Sequence, residues 1–139
     1  MLYLLAALAD LILFLLHVAA IFIGEPAYLF LRAGRVMAEA DTNGESWPAL
    51  LTAFVSTVFL IWALVTYWAG TGRKLSGLAR YLVIAIGCVF VLRGCLIFFQ
   101  LGGYTLASDG EVPQLRDFIF SLSALGIGGL HLAAAIWRR

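Results

Sequence analysis

The chain has 139 residues, 63% of them hydrophobic and 12% charged, with a formal net charge of +1 and a mean hydropathy of +1.01. That composition excludes an ordinary water-soluble domain, and with a net charge near zero no nucleic-acid partner is expected. One domain of this length has room for about four membrane crossings, with no polar stretch long enough for a second, soluble unit.

The N-terminal run MLYLLAALAD lacks a basic leader region and continues into a hydrophobic stretch too long for a cleaved signal peptide. It is expected to be a retained first span over about 2–24. Within it, Asp10, Phe14, His17, Ile21 and Gly24 recur at helical spacing, so the aspartate and the histidine share one stripe that should face protein. Glu25-Pro26 ends or bends that span. The segment 26–40, PAYLFLRAGRVMAEA, separates Leu29, Phe30, Ala33, Met37 and Ala40 from Arg32, Arg35 and Glu39. It reads as one amphipathic helix in the membrane interface, too charged to cross. Asp41-Thr42-Asn43-Gly44 is a turn, and Ser46-Trp47-Pro48 supplies a cap, an interfacial aromatic and a helix-starting proline.

Further spans are expected over about 49–70, 80–101 and 118–137. The fold class is therefore all-α: an integral membrane four-helix bundle with one interfacial amphipathic helix. In the last span Ala124 and Gly128, and Gly129 and Ala133, repeat at four-residue intervals, the spacing that lets helix backbones approach closely in lipid. Basic residues favour the side of both termini: Arg73, Lys74, Arg80, Arg138 and Arg139 against Arg32, Arg35 and Arg116. Both termini are accordingly expected in the cytoplasm, with Asp109 and Glu111 among the acidic residues on the opposite side.

The third span carries a guanidinium, Arg93. A charge there costs roughly 2.5–3.5 kcal/mol on insertion scales and normally faces protein or a wet cavity. Counting about 1.5 Å of rise per residue, Arg93, His17, Ser56 and Ser123 fall at one depth, with Glu25 and Gln100 above them. These six residues form a candidate ligand pocket open to the outer face; the alternative is a purely structural Arg93 that snorkels or pairs with Glu25. The same arithmetic brings Asp10 and His131 to one level nearer the other face, a candidate buried pair that either packs or relays protons.

His17 and His131 lie about 13 Å apart along the membrane normal, which argues against b-type haem. Cys88 and Cys95, seven residues apart, cannot bridge each other, are expected to be buried thiols, and lack metal-site spacing. No metal or cofactor is expected, and no catalytic fingerprint is present.

The stretch FLIWALVTYWAGTGRKLSGLARYLVIAIGCVFVLRG, with its AGTG turn, basic loop and LRG, resembles uncharacterised small four-helix proteins of bacterial inner membranes. That resemblance implies the fold and the bacterial cytoplasmic membrane, and no catalytic residues. Two functions are open on this reading. One is a non-enzymatic membrane protein, either the subunit of a complex or a small-ligand or lipid binder, with the bilayer and a membrane partner or a second copy as its company. The other is a small enzyme or carrier that acts on an anionic or lipid-like substrate through His17, Glu25 and Arg93.

Overall fold

The computed structural model describes residues 1–71, 76–104 and 112–137, which hold helices and no strand. Seven helices follow in chain order among the described residues: α1 (Leu2–Ile23), α2 (Glu25–Phe30), α3 (Arg35–Thr42), α4 (Trp47–Gly70), α5 (Ser76–Gly94), α6 (Leu96–Leu101) and α7 (Leu115–Ile136). Arg73, Lys74, Asp109, Glu111, Arg138 and Arg139, on which the charge count partly rests, lie outside the described residues.

Four runs are long and apolar enough to cross a membrane: Leu2–Ile23, Trp47–Gly70, Gly77–Leu101 and Leu115–Ile136. The third combines α5 and α6. Helices suit such runs because lipid offers no partner for a backbone N–H or carbonyl. α4 begins with Pro48 in its first turn, where a missing N–H costs nothing. At the start of α7, the Gln114 side chain and the Asp117 carboxylate each reach the other's backbone in a capping box. That box starts the helix at Leu115, three residues before the expected boundary.

The third run is interrupted at Cys95. Cys95 N–H still donates to the Val91 carbonyl at 2.8 Å, but Phe98 N–H donates to Cys95 at 3.1 Å, a tighter three-residue bond that separates α5 from α6. Neither thiol is buried as expected: Cys88 is exposed and Cys95 half-buried.

The segment expected as one helix over 26–40 is instead two short helices. α2 closes with Ala33 N–H on the Tyr28 carbonyl at 2.9 Å and Arg32 N–H on Leu29 at 3.3 Å, the Schellman pattern that needs a left-handed residue after the helix. Arg32 supplies it at φ 59, where α3 and α6 use Gly44 and Gly103 at the matching position. A helix cannot continue through such a residue. α3 is then tied back to the start of α2: Glu25 N–H donates to Asp41 Oδ2 at 2.9 Å, and the Thr42 hydroxyl lies 3.0 Å from both Glu25 Oε2 and the Ala38 carbonyl.

α1 packs against α4 and α7, and α5 packs against the same two helices. The α5–α7 contact is close. A Cβ added at Gly128 would meet the Gly87 carbonyl oxygen and the Val91 backbone nitrogen, each at 2.8 Å, and one at Gly94 would meet Leu125. Of the two small-residue pairs, Ala124 and Gly128 are used in this seam, whereas Gly129 is exposed with open space around its Cβ position. Ala69, Ala79, Val83 and Ala135 make one buried cluster, with Tyr3 and Ile84 packed on it. Ile86, Phe90 and Ala124 make a second, against Leu13, Phe59, Trp62, Val65 and Ile127. Outside these clusters the helices turn large apolar side chains outward, among them Leu15, Phe54, Leu92 and Phe98.

Candidate functional site

The four long helices converge on a line of rings. His17 of α1 stands against Phe59 of α4 at 4.9 Å between centroids, and Phe59 meets Trp62 at 5.6 Å and Phe90 of α5 at 6.1 Å. Phe90 in turn stacks on His131 of α7 at 5.7 Å and 28°. Both histidines stand out in the sequence, whereas the aromatic residues between them do not. Their signal was present in the 3–4 spacing of Phe59, Trp62 and Thr66 along α4, which places all three on one face.

At one end of this line Asp10 and His131 are both fully buried, with Asp10 Oδ2 at 3.0 Å from His131 Nε2. The chemistry of the pair follows from its other contact. His131 Nδ1 lies 2.9 Å from the Ile127 carbonyl, which can only accept, so Nδ1 carries a proton. A second proton must then lie between Nε2 and Oδ2 for those two atoms to bond. The pair is thus neutral overall, whether written as carboxylic acid and imidazole or as carboxylate and imidazolium. A buried charged group is tolerated in apolar surroundings only when compensated in this way. Thr66 of α4 packs against the same carboxylate. Asp10 Oδ1 and Thr66 Oγ1 are buried without a hydrogen-bond partner among the described residues.

Among the described residues, no hydrogen bond or ion pair joins any two of the six residues of the expected pocket. His17 donates Nδ1–H to its own helix at Leu13, 2.8 Å away. Ser56 bonds to Ala53 at 2.9 Å, also within its helix, and Ser123 is exposed. Glu25 is engaged by α3, and Gln100 Oε1 accepts from the Ser121 hydroxyl at 3.0 Å. Arg93 is exposed and forms no hydrogen bond or ion pair with any described residue. The expectation that Arg93 points inward at His17, Glu25, Ser56, Ser123 or Gln100 is therefore corrected. No protein-family model matches this chain, and no curated protein or solved structure matches it.

The reason for Arg93's placement is the seam beside it. Consecutive residues of a helix point about 100° apart. Once Gly94 is pressed against Leu125, its neighbour Arg93 is turned off the α5–α7 contact and onto a face where Val89 and Leu92 are also exposed. Ser121 replaces Ser123 for a similar reason. Ser121, Ala124, Gly128, His131 and Ala135 form the buried stripe of α7, and Ser123 falls outside it.

The guanidinium that the structure does bury belongs to Arg32. Its Nε donates to Asp117 Oδ1 and its Nη2 to Oδ2, both at 2.9 Å, in a bidentate pair whose side chains are 11% and 7% exposed. Asp117 Oδ2 also accepts from Gln114 N–H at 2.7 Å. One carboxylate thus caps α7 and holds the α2–α3 segment over it. Among the described residues no three His, Cys, Asp or Glu side chains group closely enough to hold a metal ion.

Proposed function

We propose that this is a non-enzymatic integral membrane protein, a four-helix bundle with α2 and α3 in the interface, that serves as the subunit of a membrane complex. The bacterial cytoplasmic membrane with cytoplasmic termini is the setting that the loop charges and the resemblance favour. The observation that carries the reading is Arg93: a guanidinium four residues from the midpoint of the Gly77–Leu101 run, exposed and without a partner among the described residues. Such a charge is expensive in lipid and inexpensive against a partner that answers it.

The groups with chemistry to offer are otherwise engaged. His17, Ser56, Glu25 and Gln100 have partners in their own helix or its neighbours, and the Asp10–His131 pair is closed off at zero exposure. The enzyme reading needs His17, Glu25 and Arg93 on one substrate, and nothing in their placement supports it.

Photocrosslinking tests the proposal. A photoreactive residue at Leu92, 71% exposed beside Arg93, is expected to capture another protein in native membranes and shift the chain to a discrete larger species. Capture of lipid alone, with the chain migrating as a single copy, refutes the subunit reading.

A further inference from the structure

We infer that the Arg93 face of α5 docks a transmembrane helix of a different protein carrying an aspartate or glutamate near its middle. The inference rests on the subunit reading and names the partner's chemistry.

Depth supplies the first constraint. Residue 89 is the midpoint of the 25-residue run Gly77–Leu101, so Arg93 lies about 6 Å from the middle of the span and well inside a ~30 Å hydrocarbon core. Direction supplies the second. Side chains on a helix tilt toward its N-terminus, which for Arg93 is back toward the midpoint. Snorkelling to the nearer surface therefore runs against the side chain's natural course. A lipid phosphate is thus a poor answer to this guanidinium, and a carboxylate near mid-membrane is a good one.

Charge complementarity then decides between a second copy and another protein. The described membrane runs of this chain contain two carboxylates. Asp10 is fully buried on His131, and Asp117 is bonded to Arg32 and Gln114. A second copy has no free carboxylate to bring to the depth of Arg93, so a homodimer would place two uncompensated charges together. The docking face is otherwise apolar, with Leu78, Leu82, Val89 and Leu92 exposed along α5. It matches a helix whose single acidic residue faces Arg93 and whose flanking residues are aliphatic.

The test uses the full chain in phosphatidylcholine vesicles with polyleucine transmembrane peptides as probes. These carry one aspartate at the middle, one aspartate two turns toward either end, one lysine, or none, and association is read by energy transfer. The mid-span aspartate peptide is expected to associate about tenfold more tightly than the all-leucine peptide, a preference worth about 1.4 kcal/mol. Arg93→Met should abolish the preference without lowering the melting temperature, because the side chain is exposed and bonds to no described residue, and Arg93→Lys should keep part of it. The inference is overturned if the aspartate and leucine peptides bind alike, or if Arg93→Met retains the preference. It is also overturned if phosphatidylglycerol in the vesicles erases the preference, since an anionic headgroup is then the occupant. Should the Leu92 crosslink to a native partner persist in Arg93→Met, the subunit reading stands and this inference alone falls.

Discussion

Removing His131 is the most informative perturbation of the fold. Its imidazole lies 3.0 Å from Asp10 Oδ2, while Thr66 packs against the same carboxylate. His131→Leu therefore leaves a wholly buried carboxyl that has lost its imidazole partner and has only the Thr66 side chain beside it. Breaking a buried pair from one side costs about 3–5 kcal/mol, which corresponds to a melting temperature lower by roughly 10 °C or more. Asp10→Asn is different. The amide nitrogen can donate to Nε2 while Nδ1–H stays on Ile127, so the bond survives and the loss should be about 1 kcal/mol or less. The double variant Asp10→Leu/His131→Leu removes both polar groups and should recover most of the single-variant loss, since apolar replacement of a buried pair is often neutral or better. Thermal unfolding of these proteins and of Asp10→Leu in one detergent reads all of this, with the wild type, the two leucine single variants and the double variant forming a double-mutant cycle. If His131→Leu melts with the wild type, or the double variant is as unstable as the single one, then the neutral proton-sharing pair is not what ties α1 to α7 and the reasoning fails.

Other expectations follow from the same packing. At the α5–α7 seam, Gly128→Ala should cost about 1–3 kcal/mol because its Cβ lands on the Gly87 carbonyl and the Val91 backbone, whereas Gly129→Ala should be neutral or gain up to about 1 kcal/mol of helix propensity; equal melting temperatures for the two would contradict the seam. Arg32→Ala should lose the bidentate pair to Asp117 while keeping a left-handed non-glycine residue; Arg32→Gly should be less destabilised by about 1–2 kcal/mol, and the opposite order in thermal melts rules out the left-handed cost at that position. Phe90→Ala, at the centre of the ring line, should lower stability by about 3–5 kcal/mol. The same change should also weaken protection of Asp10 and His131 from exchange, and a loss confined to α5 would separate the rings from the pair.

The amino-acid sequence by itself determined that this chain is helical and has four stretches able to cross a membrane, because length and apolarity act locally and lipid leaves the backbone no alternative. Rise per residue was also enough to level Asp10 with His131, since two straight antiparallel helices keep their depth bookkeeping over a few turns. Depth, however, says nothing about azimuth. By that arithmetic Arg93 shares a level with His17 and Ser56, yet which way it points depends on where α7 presses on α5, and that is decided by Gly87 meeting Gly128 backbone to backbone and by Gly94 meeting Leu125. The same contact selects Ser121 over Ser123. The break at Arg32 was likewise hidden: an amphipathic pattern runs unbroken through 26–40, and the Asp117 carboxylate that meets this left-handed arginine lies 85 residues away in the chain. Tertiary structure decided the faces, because a helix can turn about its own axis without changing its periodicity, and only its neighbours choose the angle.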